Sequence, residues 1–591
     1  MHNDINFLNK KELNSFQLIL NIYRFLNKKR RLQILFNLFL TILSSILEIV
    51  SIAIIFPFFT LLINPKDLEN YSLISPFLNY FNNFGENAFA FFITILFVFI
   101  VIFSLIIKLS NLKLNVFLSE NIGSDLSVYA LSSYLRKPYS FLVGINSSEV
   151  ISDIDKNING TVMAINSFLS LVTSGVLSTS IIFTLLFIDR DISLIISLVL
   201  IVSYLLISKL TKKIFINNSK RIVELQPTVL RNMQESLNGI REVTLSNLQD
   251  FYIKDFEKAD RKIRNYMSVN SFYTNSFRYL IESIILLLIC LITIYSFYLN
   301  RANASTFAVL GTIGVGAQKL IPSLQSIFRM WSNLRGKRFE ILNTIKIISE
   351  YKPSKTYERS NFIFKNHIFL KNISYKYPDS NNYVLKNINL KISKGTCLGI
   401  IGESGSGKTT LADILMTLLV PTKGEYLLDG ENLYSGSQST DLQSVRNSIA
   451  QVPQKIFISD TTIAENIAFG ISREKINKSK LLTSAKLAGL DKFINSLPSK
   501  FQTIVGESGS LLSGGQIQRI AIARAIYKGA KIIIFDEATS SLDIKTEDLI
   551  LDSLKKIKGQ VTIIFISHRK RTLSICDEII EIKNGKIFIN K

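Results

Sequence analysis

Gly402-Glu403-Ser404-Gly405-Ser406-Gly407-Lys408-Thr409-Thr410 decides the fold of the second half of this 591-residue chain. It follows the apolar run Cys397-Leu398-Gly399-Ile400-Ile401 and precedes a helix-forming stretch, so the local order is strand, glycine loop, helix. The glycines let successive backbone N–H groups converge on phosphate oxygens, and the helix N-terminus adds favourable partial charge. Lys408 is placed to reach the terminal phosphates, and the Thr409 hydroxyl to ligate Mg²⁺. The spacing predicts a nucleotide-phosphate site.

Two further stretches extend it. Lys531-Ile532-Ile533-Ile534-Phe535-Asp536-Glu537 is an apolar strand ending in two carboxylates. Successive strand side chains leave on opposite faces, so Asp536 suits a magnesium shell while Glu537 takes another direction, toward an attacking water. Leu512-Ser513-Gly514-Gly515-Gln516 opens the helical run 517–527, and a serine with two glycines at a helix start makes an anion-binding nest as well as a plain N-cap. With 397–401, the runs 532–535 and 561–566 read as strands of a buried parallel sheet. Residues 358–591 thus read as a cytoplasmic α/β domain of 234 residues.

The first half is of another kind. Apolar runs of about 20 residues, long enough to cross roughly 30 Å of hydrocarbon as helices, occur at 41–63, 88–107, 167–188, 192–208, 279–298 and 306–328. Asp189-Arg190-Asp191 reads as a tight turn between the third and fourth. Residues 1–31 are polar and basic, without the apolar core and small-residue site of a cleaved signal; 11–28 suit an interfacial amphipathic helix. The stretches 108–135 and 209–278 keep apolar residues at three- and four-residue spacing and read as helical stalks. Lys137-Pro138-Tyr139 and Gln226-Pro227 interrupt them, with a turn expected near the first. Residues 32–330 form the membrane domain and 331–357 a linker.

Charge sets the orientation. Lys66, Arg190 and Arg301 are the only basic residues in three loops, against seven in 1–31, five in 108–156 and thirteen in 209–278, which places both termini in the cytoplasm. The formal net charge is +23, from 68 basic and 45 acidic residues. With Asp67, Glu69, Glu86, Asp189 and Asp191, the outer loops carry a net of −2, so the excess lies inside or within the spans. Positive-inside topology and a basic surface facing anionic lipid account for it without a nucleic-acid partner. Cys290, Cys397 and Cys576 are widely separated and form no CxxC pair, which predicts neither a disulfide nor a metal site.

With these motifs in place, the chain resembles a bacterial ABC exporter half-transporter over nearly its whole length: an all-α six-helix membrane domain fused to an α/β P-loop nucleotide-binding domain. The resemblance implies ATP and Mg²⁺ as ligands. It implies that Gly402, Ser404, Gly405, Ser406, Gly407, Lys408, Thr409 and Thr410 cradle the phosphates, and that Tyr377 in Ser374-Tyr375-Lys376-Tyr377-Pro378 stacks on adenine, with Tyr375 the alternative. Gln454, in Val452-Pro453-Gln454-Lys455-Ile456-Phe457, matches the glutamine that senses magnesium beside Thr409 and Asp536. Glu507, in Val505-Gly506-Glu507-Ser508-Gly509, resembles the segment that meets the coupling helices. Ser540-Ser541-Leu542-Asp543 matches the segment at the dimer interface, and His568, in Ile566-Ser567-His568-Arg569, the switch histidine. In such exporters each ATP lies between one subunit's Lys408 loop and the other's Ser513, Gly514, Gly515 and Gln516. A second copy of the chain is therefore implied, with Glu537 as general base and Lys408 and His568 stabilising the transferring phosphoryl group. Export across the bacterial inner membrane is favoured over import by the fusion of spans to ATPase.

For cargo, ionisable groups inside spans carry the information: Glu48, Glu282 and Lys319. Glu282 lies four residues after Arg278 and is placed to pair with it; Glu48 is a candidate partner for Lys319 or for a water-filled cavity. Gly311, Gly314, Gly316 and Pro322 mark a close-packed or kinked sixth helix. Ala317-Gln318-Lys319-Leu320-Ile321-Pro322-Ser323, with Glu48 and Ile55-Phe56-Pro57-Phe58, looks like the lipid-linked oligosaccharide flippase branch, in which a basic cavity residue meets a lipid pyrophosphate. The expected cargo is a lipid-linked oligosaccharide or other amphipathic lipid, with a multidrug or peptide exporter as the alternative and an ATP-gated channel or regulator as a reading from another class. No cysteine precedes Cys290, which excludes a fused cysteine-peptidase domain.

Overall fold

The computed structural model describes residues 15–63, 88–145, 150–298 apart from 152 and 189, 304–349, 364–434 apart from 379, 442–537 and 543–590. Lys66, Arg301, the linker residues 350–357 and Ser540, Ser541 and Leu542 lie outside them. The chain divides into two compact units, one of residues 1–137 and 145–353, the other of 138–144 and 354–591.

The first unit is helical: α1 (Ser15–Phe25), α2 (Lys28–Ile63), α3 (Ala88–Leu135), then, past α4 (Tyr139–Leu142) of the other unit, α5 (Ile158–Ile188), α6 (Arg190–Asn238), α7 (Ile240–Leu245), α8 (Gln249–Tyr298), α9 (Ala304–Gly336) and α10 (Arg338–Ser349). At 1.5 Å per residue the 49 residues of α6 extend about 73 Å, far beyond a 30 Å hydrocarbon layer, so spans run on into stalks. Four helices have described windows long and apolar enough to span, within 28–55, 91–135, 153–187 and 193–238. The fifth and sixth apolar runs lie on α8 and α9, where part of the side chains falls outside the described residues.

Polarity in this unit is inverted relative to a water-soluble bundle. Phe39, Phe91, Phe99, Leu198 and Val202 are exposed, whereas Asn37, Thr41, Asn111 and Ser178 are buried. Hydrocarbon solvates the apolar exterior as well as another helix would, so association rests on close packing and interhelical hydrogen bonds. Asn37 donates to Asn111 at 3.0 Å, Asn111 to Thr41 at 3.1 Å, and Ser178 and Ser323 lie 2.7 Å apart. An aromatic core sits between α6, α8 and α9, with Phe277 stacked on Phe328 at 4.1 Å and the Arg335 guanidinium 3.8 Å from the Trp331 ring centre.

Two readings are revised here. Pro227 does not interrupt its stalk: α6 runs through it. Proline removes one backbone bond, at about 3 kcal/mol, while Ile222, Leu225 and Val229 on both sides of it pack on Phe256, Ala259 and Ile263 of α8. This stalk turns further on, between α6 and α8, at Gly239 and Asn247, whose φ is +53°, while the turn expected near Lys137-Pro138 is found where α3 ends at Leu135. The segment 331–357 is not a linker over its first part: α9 continues to Gly336, and α10 buries Ile341, Thr344, Ile345 and Ile348, a helical stripe, against α1, α3 and α5.

The second unit holds an antiparallel sheet, order β2-β1-β4-β5, and a six-stranded sheet, order β10-β9-β3-β8-β7-β6. The strands are β1 (His367–Tyr375), β2 (Leu385–Ser393), β3 (Cys397–Gly402), β4 (Lys423–Leu428), β5 (Glu431–Asn432), β6 (Ile449–Val452), β7 (Ile532–Asp536), β8 (Thr562–Ile566), β9 (Glu578–Lys583) and β10 (Lys586–Asn590). The predicted strands are β3, β8 and β7, adjacent and parallel, each almost wholly buried because both faces of the sheet are covered. Helices α11 (Lys408–Leu415), α12 (Gly514–Lys528) and α13 (Ile544–Ile557) are the ones that concern the site. All three cysteines are free thiols, and two that lie far apart in the sequence come together in space. β3 and β9 are parallel neighbours with Leu398 opposite Glu578, which brings the sulfurs of Cys397 and Cys576 to 3.6 Å.

Candidate functional site

β3, β7 and β6 deliver their C-terminal ends to one edge of the large sheet, the place where an open parallel sheet binds ligands. From β3 the chain enters the Gly402–Gly407 loop and then α11. Lys408 folds back along the loop, donating to the carbonyls of Gly402 at 2.5 Å and Glu403 at 2.9 Å. Gly402 has φ +151°, and a Cβ there would lie 2.4 Å from the Ile582 carbonyl oxygen and 2.8 Å from Ser406 Oγ. A Cβ on Gly407, at φ +106°, would meet Leu385 at 2.9 Å. Gly402→Ala is accordingly expected to lower the melting temperature by several degrees and to weaken ATP binding, read from thermal melts with and without nucleotide.

Thr410 is buried and Thr409 exposed on the first turn of α11. Tyr377 places its hydroxyl 3.2 Å from Thr410 Oγ1, whereas Tyr375 is buried in the core of the sheets, its ring edge-on to Tyr377. The sequence names both tyrosines, and only Tyr377 touches the loop helix among the described hydrogen bonds. Residues 138–144 join this neighbourhood: Pro138, Ser140, Tyr375, Tyr377, Leu418 and Val420 line a cleft of about 240 Å³.

Asp536 is the last residue of β7, and Glu537 lies just past the strand, so strand alternation does not set its direction. Glu537 has φ +50°, uncommon for a residue with a Cβ, and is held by its N–H donating to the Ile566 carbonyl at 2.9 Å. Gln454, just past β6, donates from Nε2 to Glu537 Oε2 at 2.8 Å. The fold thus joins two residues 83 positions apart that the sequence assigns to one reaction. Burial, with Glu537 nearby, raises the Asp536 carboxyl above its ordinary range, against the opposing pull of Lys408. Burial and then the charge of Asp536 push Asp413, on α11, up to about 6. Asp413 was not singled out in the sequence, where it is one more polar helix residue. Asp413, Asp536 and Glu537 form a chain of neighbouring carboxylates of which Asp536 also feels Lys408, a surplus of negative charge that suits a divalent cation. Ser406 Oγ, buried beneath the loop without a protein partner, is a further unsatisfied polar atom at this place.

Ser513 caps α12 in a capping box: its hydroxyl accepts from the Gln516 N–H at 3.3 Å, and its N–H donates to Gln516 Oε1 at 2.8 Å. Gly514 and Gly515 form the first turn, and among the described residues no hydrogen bond ties 513–516 to the Gly402–Thr410 loop. His568 is exposed just past β8, and Asp543 exposed just before α13. Glu507 lies on a short 3₁₀ turn, its side chain outside the described residues.

A second polar centre sits in the helical unit. Glu48 of α2, its side chain 5% exposed, accepts from Lys319 of α9 at 3.1 Å and from Lys108 of α3. Lys319 also donates to Ser51 at 3.1 Å. Sequence reasoning named Glu48 and Lys319 as possible partners and missed Lys108, which ends an apolar run and reads there as the first stalk residue. The Lys319 and Lys108 side chains are 34% and 40% exposed, so one carboxylate is enclosed by two partly accessible cations, one positive charge in excess. Glu282 is 3.8 Å from Arg278 on the same helix and belongs to no such cluster. Gly316 packs on Leu185, where a Cβ would come within 2.7 Å, in keeping with a close approach of α9 to α5.

Comparison with known proteins bears on both units. Residues 34–320 match the family described as ABC transporter transmembrane region, and residues 385–540 the family described as ABC transporter. A protein of Pectobacterium atrosepticum named ATP-dependent lipid A-core flippase is 31% identical over 398 residues, 66% of this chain and 67% of that one. The Escherichia coli K12 protein of the same name is 30% identical over 401 residues, with the same coverage. That of Alkalilimnicola ehrlichii is 41% identical over 215 residues, 36% of each chain. Among solved structures, a bacterial Atm1-family ABC exporter with ATP bound superposes with a TM-score of 0.73, at 20% identity over 94% of both chains.

Proposed function

Because the chain belongs to the ABC transporters whose membrane region is fused to the ATPase, we propose that two copies of it couple ATP hydrolysis to the flipping of an anionic amphipathic lipid across the bacterial inner membrane, with both termini cytoplasmic. The protein is a multi-pass membrane ATPase. The observation that carries the lipid assignment is the Glu48–Lys108–Lys319 cluster, an excess cation held among spanning helices. Its chemistry fits a phosphate-bearing headgroup, and the flippase names of the relatives point the same way.

In this reading Lys408 exchanges its bonds to the Gly402 and Glu403 carbonyls for phosphate oxygens, and the loop N–H groups share the same charge. Gln454 and Glu537 hold the attacking water between them, Glu537 taking its proton while His568 and Lys408 stabilise charge on the transferring group. Thr409, Asp536 and Gln454 would hold Mg²⁺, which supplies positive charge to the phosphate oxygens when bound. The partner subunit's Ser513-Gly514-Gly515 edge completes the site, with Gln516 and Asp543 beside it. Binding therefore favours closure, and a full switch from open to closed needs about 5 kcal/mol of differential affinity.

The test is ATPase activity in proteoliposomes offered lipid A-core, a polyprenyl-pyrophosphate glycan, or an uncharged lipid. Stimulation by a phosphate-bearing lipid alone is expected, and which of the two acts separates the lipid A branch from the oligosaccharide branch. In Lys319→Ala that stimulation is expected to fall at least tenfold, while ATP affinity, measured separately with a fluorescent nucleotide, stays within about twofold. Stimulation by peptides or uncharged drugs instead would move the protein to the multidrug or peptide exporters.

A further inference from the structure

Cys397 is the first residue of β3, the strand that feeds the Gly402 loop, and is fully buried. Cys576 precedes β9 and is partly accessible. Their neighbourhood is fixed by backbone: the Asp577 N–H donates to the Cys397 carbonyl at 2.7 Å, and the Cys397 N–H donates to Asp577 Oδ2 at 2.8 Å. Between these anchors the sulfurs lie 3.6 Å apart, and side-chain rotation alone has to close the remaining gap to a bond of about 2.05 Å. A cation stands beside them, Lys558, whose Nζ is 2.6 Å from Asp577 Oδ1 and 3.0 Å from the Ile575 carbonyl.

The two thiols are unequal. The Cys397 thiol donates to Cys576; that bond, and then burial, push Cys397 up. The same bond, helped by Lys558, brings Cys576 down against its own burial. The more accessible sulfur is thus also the more readily ionised, which is what a first nucleophile needs.

We propose that Cys397 and Cys576 are a dithiol oxidised by hydroperoxides to an intramolecular disulfide, with Cys576 attacking first. The Cys576 thiolate attacks the distal oxygen of a hydroperoxide, the O–O bond breaks, and the leaving oxide takes a proton to become water or an alcohol. Cys576 is then a sulfenic acid. The Cys397 sulfur attacks it, the S–O bond breaks, and the departing hydroxide leaves as water with the Cys397 proton. Two thiols and one hydroperoxide give one disulfide, one alcohol or water, and one water. The bond fastens β3 to the turn before β9 at the end of the sheet away from the Gly402 loop.

The experiment uses the full-length chain in detergent with Cys290→Ser, which removes the remaining, exposed cysteine. Hydrogen peroxide is expected to consume both thiols together, to yield a linked peptide pair carrying positions 397 and 576, and to raise the melting temperature by several degrees, all reversed by dithiothreitol. The added stability follows from closing a chain segment of 179 residues. In Cys397→Ser, dimedone is expected to trap a sulfenic acid at Cys576; in Cys576→Ser, Cys397 is expected to stay a thiol. Survival of both thiols at peroxide levels that oxidise a free exposed cysteine, or a dimedone adduct on Cys397 in Cys576→Ser, would overturn the assignment.

Discussion

Glu537→Gln is expected to bind ATP as the parent chain does and to hydrolyse it about 10²- to 10⁴-fold more slowly, the range over which a positioned general base acts. Glutamine keeps the length of the side chain, and its amide oxygen can still accept from Gln454 Nε2, so the 2.8 Å contact survives without the proton-accepting charge. The fold is therefore not expected to change: the φ of +50° and the N–H bond to Ile566 belong to the backbone. Single-turnover hydrolysis against equilibrium nucleotide binding separates the two effects. A variant that hydrolyses at the parent rate would remove Glu537 from the mechanism; one that loses ATP binding would make it a structural residue of the pocket.

Lys408→Ala is expected to fail one step earlier. Its ammonium is placed at the loop by two carbonyl contacts, so removal takes a charge-assisted bond away from the phosphates and leaves Asp536 without the pull of that charge. A loss of roughly 3 kcal/mol, or about a hundredfold in ATP affinity, is expected, with hydrolysis at ordinary ATP concentration falling at least as far. The nucleotide-free protein is expected to melt within a few degrees of the parent, because the loss is confined to two side-chain hydrogen bonds to loop carbonyls. The diagnostic result is a melting temperature that no longer rises when ATP is added. If the rise persists, the loop N–H groups alone hold the nucleotide.

How far the sequence reaches depends on how local each feature is. The glycine loop and the Asp536-Glu537 strand tip are legible because few contexts other than phosphate binding need those residues at that spacing. Six apolar runs are legible because lipid imposes length as well as composition. The Glu48–Lys319 pair is half legible: two opposite charges inside spans demand company, but only the fold shows that Lys108 shares the carboxylate. Pro227 misleads because its cost is local while the packing that overrides it comes from α8, some thirty residues on. The stretch after Trp331 reads as a linker because it follows the last apolar run, and its Ile341, Ile345, Ile348 stripe is shorter than a span. Cys397 and Cys576 lie beyond sequence reasoning altogether, since their meeting depends on β3 and β9 pairing across most of a domain.

The grouping of residues 138–144 with the nucleotide-binding unit has a consequence for biosynthesis. Those residues leave the ribosome about 210 residues before the rest of their unit begins. At 5–20 residues per second they wait roughly 10 to 40 s, without Tyr375, Tyr377, Leu418 and Val420 to close against. The ATPase unit thus cannot close until its second segment, from 354 onward, has been made. A fragment that starts at 354 folds, if it folds, with one wall of the cleft beside Tyr377 missing, so nucleotide affinities taken from it would describe a different pocket from the one in the whole chain.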